Sequence, residues 1–188
     1  IRYKDEELLT IQSPLYGAFN VQNLTLAYLA ARSMGYEASE IVRIFTTIKP
    51  PPGRMEVINL QDDAKAFVDY AHTPDALENV ILTLRELSPR RIITIFGCGG
   101  DRDKKKRVVM ARVAQKFSDF VIATSDNPRK EDPGQILKDV KKGLKGLHYV
   151  VIPERELAIR TGVQLLGPKE ILLVAGKGHE NFQIIQDK

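Results

Sequence analysis

From residue 55 onward the chain alternates short apolar runs with amphipathic segments in regular steps, and no single motif constrains the fold as strongly. Residues 55–59, 64–69, 91–96, 120–124, 147–152 and 171–175 have the length and near-continuous apolar character of strands buried on both faces. Between them, residues 74–87 repeat apolar side chains at helical spacing, with Leu77, Val80, Leu84 and Leu87 inward. Residues 105–117 do the same with Val109, Val113 and Phe117, and residues 134–143 and 154–166 are two further helices. This pattern predicts an α/β fold built on a mostly parallel sheet with helices on both faces.

The start of the chain reads differently. Residues 8–11 are a candidate strand, and residues 17–20 open a helix whose one face holds Val21, Leu24, Tyr28 and Ala31 and which Gly35 ends. A second helix over residues 38–47 turns Ile41, Ile44 and Phe45 inward. Then comes Lys49-Pro50-Pro51-Pro52-Gly53, where three prolines favour a stiff extended connector. A domain boundary is therefore expected here, with residues 1–49 before it and 50–188 after it. At 188 residues there is room for one full domain and part of another. The start at Ile1 and the polar stretch after Ile185 suggest a piece of a longer protein.

Composition removes several classes. No apolar run is long enough to cross a bilayer, and the start does not resemble a signal peptide. The single Cys98 excludes an internal disulfide and a cysteine-rich zinc site, which suits a reducing compartment. A net charge of +4, with basic residues not interleaved with aromatics, does not point to nucleic acid. Three histidines without H-x-x-x-H spacing do not point to a histidine metal site.

The loops at the strand ends carry the chemistry. They read D-Y-A-H-T-P-D (69–75), G-C-G-G-D-R-D (97–103), S-D-N-P-R (125–129) and G-K-G-H-E (176–180). In a parallel sheet all four share one edge, so their charged side chains should converge on one crevice. Gly97, Gly99 and Gly100 allow close backbone approach to a ligand, but the third glycine of a dinucleotide fingerprint is missing and there is no P-loop. Lys104 to Arg107 reads as a solvated first helical turn, leaving Arg102 as the better ligand candidate. Asp69 could accept from a ribose-type diol, Thr73 is a natural N-cap with Pro74 behind it, and His72 is open to a base, ligand or capping role. In the third loop Asn127-Pro128 stiffens the backbone and Asp132-Pro133 starts a helix, with Asp126 and Arg129 between them as a possible ion pair.

The ordered series F-N-V-Q-N (19–23), P-G-R-M-E (52–56), D-Y-A-H-T-P-D, G-C-G-G-D-R-D-K-K-K-R, D-N-P-R and G-K-G-H-E resembles the Mur ligases, among them those that add meso-diaminopimelate in peptidoglycan synthesis. The resemblance implies the last part of a central ATPase domain in residues 1–49 and a Rossmann-like C-terminal domain in residues 50–188. It implies a cytoplasmic bacterial ligase that uses ATP and Mg2+, with the metal ligands, P-loop and UDP site outside this chain. The chain alone would then be inactive and hold no catalytic residue or metal ligand. Its substrates would be UDP-N-acetylmuramoyl-L-alanyl-D-glutamate and meso-diaminopimelate, with no nucleic-acid or membrane partner. By resemblance Asn20, Asn23, Arg54, Asp69 and His72 belong to the ATP side. Arg102, Asp126, Asn127, Pro128, Arg129, Gly176 and Glu180 belong to the diaminopimelate side. Val108 stands where the family usually has proline. The alternatives are a lysine-adding or folylpolyglutamate synthase-like ligase, against which D-N-P-R argues, or a non-catalytic binding module.

Overall fold

The computed structural model describes residues 9–185, and the chain divides into two compact units, Ile1–Pro50 and Pro51–Lys188. The first unit holds α1 (Ala18–Ser33) and α2 (Ala38–Phe45) around Tyr28, Ile41 and Phe45, with Leu9, Ile11, Leu24, Leu29, Ala31 and Ala38 packed against them. Gly35 ends α1 in a left-handed conformation: its N–H reaches the Arg32 carbonyl at 3.1 Å, and the Tyr36 N–H reaches the Ala31 carbonyl at 3.2 Å. The strand expected over residues 8–11 does not form at residues 9–11, and Leu8 lies outside the described residues. Leu9 and Ile11 instead pack irregularly on the helix pair. Val21 and Ile44, expected inward, are exposed in this unit. A helix of eight residues is only about 12 Å long, so it covers a limited stretch of its neighbour.

The second unit runs β1 (Glu56–Asn59), β2 (Lys65–Asp69), α3 (Pro74–Arg85), β3 (Ile92–Cys98), α4 (Lys105–Phe117), β4 (Phe120–Ser125), α5 (Pro133–Lys141), β5 (Tyr149–Val151), α6 (Arg155–Gln164) and β6 (Ile171–Ala175). The six strands form one sheet in the order β1-β2-β6-β3-β4-β5, in which only β1 is antiparallel to its neighbour. The last strand is therefore inserted between β2 and β3. On one face Ala66, Ile93, Ile95, Ile122, Leu172 and Val174 pack with Ala158 of α6. The alternate residues of β3, Ile92, Thr94 and Phe96, point to the other face, where α3, α4 and α5 lie side by side. Those helices bury Leu77, Ile81 and Leu84, then Met110, Ala111 and Ala114, then Ile136, Leu137 and Val140.

Three expectations need correction here. Leu87 is exposed because α3 has already ended, and Val109 is 43% exposed because the buried stripe of α4 is Arg107, Met110, Ala111 and Ala114. Small alanines let α4 sit close to the sheet, so its bulkier valine is left on the outer side. Arg107 is not solvated: it is 1% exposed and donates to Glu131 at 2.8 Å, to Asp139 at 3.1 Å and to the Gly99 carbonyl at 3.4 Å. It thus ties α4 to the loop after β4 and to α5. The Arg107 hydrogen bond holds the Glu131 carboxyl below its usual range. Asp139 is held low by Lys142 first, and also by Arg107, against the opposing effect of burial.

Arg107→Met should leave two carboxylates without their shared cation, and we expect it to cost about 3 kcal/mol of unfolding free energy in urea at neutral pH. Both carboxyl groups are depressed in the folded state, so their contribution is complete above the unfolded values and fades as pH falls through the folded ones. The gap between wild type and variant should therefore narrow below about pH 4. A gap that stays constant from pH 7 to pH 3 would contradict the role given to this cluster.

Candidate functional site

The register of the sheet decides where the site lies. Asp69 at the end of β2 pairs with Ala175 at the end of β6, and Cys98 at the end of β3 pairs with Ser125 at the end of β4. Four parallel strands thus finish together, and the loops after them line a single cleft of about 210 Å³. The helices beyond two of these loops are started as their sequences require. The Thr73 hydroxyl accepts from the Ala76 N–H at 3.3 Å and the Asp132 carboxylate from the Gly134 N–H at 3.0 Å, each with proline next in the chain.

The loop after β4 is held on two sides. The Gly100 N–H donates to the Asn127 carbonyl at 2.9 Å, and Arg129 Nη1 donates to the Gly100 carbonyl at 2.9 Å. A side chain at Gly100 would meet the Pro128 carbonyl oxygen at 1.9 Å, so this contact requires glycine. On the other side the Arg129 N–H donates to the Ile184 carbonyl, the Ile184 N–H to Asn127 Oδ1, and Gln183 Nε2 to the Asp126 carbonyl. Arg129 is fixed with φ of 51°, a left-handed conformation that costs a non-glycine residue and is sustained here by these bonds.

Lys177 sits at the centre of the polar wall. It is 6% exposed, and its ammonium donates to Asn127 Oδ1 at 2.8 Å and Glu180 Oε2 at 3.2 Å, with Asp126 Oδ1 at 3.8 Å. Glu180 also accepts from Asn127 Nδ2 at 3.0 Å and from the Tyr70 hydroxyl at 3.2 Å. Burial would raise the Glu180 pKa, but these donors outweigh it and hold the carboxyl below its usual range. The carboxylate therefore keeps its charge at neutral pH. Behind this wall Arg155 bonds the Ala175 carbonyl at 3.0 Å and the Ser125 carbonyl at 3.4 Å, fastening the ends of β6 and β4.

Across the cleft stand Arg102, Lys106 and Arg129. Arg129 uses Nη1 on the carbonyls of Gly100 and Asn127, and no described residue accepts from its Nη2. The ion pair between Asp126 and Arg129 does not form. Asp126 turns toward Lys177 and accepts its neighbour Asn127 N–H at 2.6 Å, while Arg129 turns toward the loop after β3. Cys98 lies at the cleft floor, where burial pushes its thiol up to about 12, so it is not a nucleophile at neutral pH.

Of the residues singled out in the sequence, Arg102, Asp126, Asn127, Arg129, Gly176, Glu180 and His72 line this cleft. Pro128 is buried just behind it and shapes the loop. Asp69 is 7% exposed, and its two carboxylate oxygens accept from the N–H groups of Met55 and Ala71 at 2.9 and 2.8 Å. Burial raises its pKa in spite of those two donors and nearby Arg54. It anchors the backbone next to Arg54, whose exposed guanidinium lies 4.7 Å from the centre of the Tyr70 ring. Asn20 and Asn23 belong to the first unit, where Asn23 donates to Asn20 and Asn20 to the Tyr16 carbonyl. Sequence reasoning passed over Tyr70, Arg107, Arg155 and the bonding role of Lys177. Among the described residues no three His, Cys, Asp or Glu side chains are grouped to hold a metal ion.

One wall thus offers guanidinium and ammonium groups and the other offers fixed carboxylate and amide acceptors, an arrangement suited to a zwitterion with charge at both ends. Residues 53–178 match the family model described as Mur ligase, glutamate ligase domain. A curated relative from Fusobacterium nucleatum, named UDP-N-acetylmuramoyl-L-alanyl-D-glutamate--2,6-diaminopimelate ligase, is 47% identical over 190 residues. The alignment covers all of this chain and 39% of that relative, so the chain spans about two fifths of its length. A solved structure of a ligase of the same name is 43% identical with a TM-score of 0.71, covering 93% of this chain and 36% of the other. A folylpolyglutamate synthase/dihydrofolate synthase from Yersinia pestis, solved with AMPPNP and a Mn ion, shares the fold at 17% identity and a TM-score of 0.72, covering 95% of this chain and 40% of that one.

The Lys177 cluster can be tested without any ligand. Lys177→Met should destabilise the protein by about 3 kcal/mol, because it strands neighbouring carboxylates in a buried site. The same change made on a Glu180→Gln background should cost less, with a coupling of about 1–2 kcal/mol from a double-mutant cycle in urea. Strictly additive effects would show that the two side chains do not share one interaction.

Proposed function

The chain belongs to the Mur ligase family, and from that premise we propose that its parent adds meso-2,6-diaminopimelate to UDP-N-acetylmuramoyl-L-alanyl-D-glutamate, joining them by an amide bond. In this reading residues 1–49 are the end of the central ATPase domain. Residues 50–188 are the C-terminal domain that binds the amino acid. The observation that carries the reading is the pairing of Arg129, with Nη2 open, and the Asn127–Glu180 acceptor set on one cleft.

Diaminopimelate carries an ammonium and a carboxylate at each end. A nucleophilic amine at one end is best presented when the other end is gripped by its charges, which is catalysis by orientation. Arg129 would take the far carboxylate, and Asp126, Asn127 and Glu180, all in contact with Lys177, would accept from the far ammonium. Arg102 stands at the rim for the other carboxylate. When bound, ATP with Mg2+ would supply activation of the glutamate carboxylate as an acyl phosphate, which the amine displaces with release of phosphate. Exposed Arg54 is suited to a phosphate, while His72, given to the ATP side by the resemblance, lines the neighbouring cleft; the metal would be held by residues outside this chain. Both faces of the reading suit a bacterial cytoplasmic enzyme of cell-wall synthesis.

In the full-length protein, Arg129→Ala should lower kcat/KM for meso-diaminopimelate by about two orders of magnitude, the loss of a charge-assisted bidentate pair worth roughly 2–3 kcal/mol. The KM for ATP should change less than twofold. Phosphate release measured with meso-diaminopimelate and with L-lysine decides the matter. An undiminished preference for meso-diaminopimelate in the variant would refute the assignment.

A further inference from the structure

Tyr70 lines the cleft and also touches Arg54, which lies outside it. Its hydroxyl donates to Glu180 Oε1 at 3.2 Å, on the amino-acid wall. Its ring carries the Arg54 guanidinium at 4.7 Å, meets His72 edge-on at 5.0 Å and lies nearly parallel to His179 at 6.2 Å. The phenol is held protonated, since the hydrogen bond to Glu180 raises its pKa, so it remains a donor at neutral pH.

The backbone on either side leaves this ring little freedom. A side chain at Gly53, just before Arg54, would fall 2.1 Å from the His179 nitrogen, so the segment that carries Arg54 is packed directly on the loop that carries Glu180. Gly178 in turn lies against the Tyr70 ring: a Cβ there would sit 3.0 Å from Tyr70 Cβ. Asp69, one residue before Tyr70, holds the Met55 N–H, one residue after Arg54. The guanidinium over the ring and the carboxylate at its hydroxyl thus meet the same side chain, with a fixed backbone behind each.

We propose that Tyr70 is a positioning residue shared by the two subsites, which couples the anion held at Arg54 to the orientation of Glu180 and so to the affinity for the amino acid. An anion drawing Arg54 along the ring face shifts the charge on that face, and the hydroxyl at the other end of the ring meets Glu180. A cation over the ring makes the phenol a better donor, so an ordered Arg54 strengthens the Glu180 contact. By linkage the amino acid then favours the ordered Arg54 to the same degree. Glu180 is also faced by Lys177 and Asn127, with Arg155 in electrostatic reach, and these keep it charged alongside Tyr70, whose hydroxyl contributes chiefly to its orientation. This inference rests on the assignment of the cleft to an amino acid and of Arg54 to a phosphate.

The test is a double-mutant cycle in the full-length ligase, reading KM for meso-diaminopimelate, KM for ATP and kcat separately. Tyr70→Phe keeps the ring and removes only the hydroxyl, and should raise KM for the amino acid roughly tenfold with KM for ATP within twofold. Arg54→Met should raise KM for the amino acid about threefold although Arg54 is not part of that cleft, and this increment should vanish on the Tyr70→Phe background. Effects of the two substitutions that simply multiply, or an unchanged amino-acid KM in Tyr70→Phe, would overturn the proposal. Arg129→Ala measured alongside separates the two readings. If it weakens the amino acid while the cycle shows no coupling, only the role of Tyr70 fails. If it has no effect, the amino-acid assignment fails and this proposal with it.

Discussion

The site depends on where β6 goes. It is the last strand among the described residues, yet it pairs on one side with β2 and on the other with β3. Until it is inserted, the loop after β2 and the loops after β3 and β4 belong to separate halves of the sheet. Its insertion sets Asp69 level with Ala175 and so brings Gly176, Lys177 and Glu180 between the two halves. These pairings are far apart in sequence, so forming the cleft carries a large loop-closure entropy cost.

The inserted loop brings a cation into an acidic place. Lys177 carries its charge into a wall that already has Asp126 and Glu180, and its bond to Asn127 fixes which end of the amide faces the cleft. Without it two carboxylates would compete for one patch of low dielectric, and one of them would take up a proton. With it both stay charged and aimed. A second buried cation, Arg107, does the same for the opposite wall by fixing Glu131, whose other bond is to the Asp101 N–H at the tip of the loop that bears Arg102. The charged walls of the cleft are thus held in place by two buried cations.

Much of this architecture is legible in the sequence, and the reason differs by element. The strands at 92–98 and 171–175 are buried on every residue because both faces are covered, and such runs read clearly. Four of the six family motifs fall in the loops that share this edge, the other two lying in α1 and leading into β1. Interactions closed over distance do not read in this way. Arg107 looks like one more member of a basic run, since its carboxylate partners stand 24 and 32 residues away. Lys177 looks like part of a surface turn between two glycines, because Asn127 is 50 residues away. The inward face of α4 escapes periodicity for a related reason: Ala111 and Ala114 carry little hydrophobic signal but permit the closest approach to the sheet.

The failure of the Asp126–Arg129 ion pair sharpens the case for a ligand with two charged heads. Had these side chains joined, an incoming zwitterion would first have had to break their bond, and much of its own attraction would have been cancelled. Instead each is held by a third group, Asp126 by its own loop with Lys177 nearby, and Arg129 by the carbonyls of Gly100 and Asn127. Those carbonyls are neutral, so they orient the guanidinium without discharging it. A carboxylate arriving at the open edge of Arg129 forms a charge-assisted pair with little rearrangement. If the cleft takes diaminopimelate as proposed, a ligand with an alkyl ammonium but no second carboxylate, such as lysine, would leave the guanidinium's open edge unmatched. Under the proposed assignment selectivity would come from a cation that is pre-aimed and still uncompensated, with the left-handed backbone at Arg129 helping to hold it there.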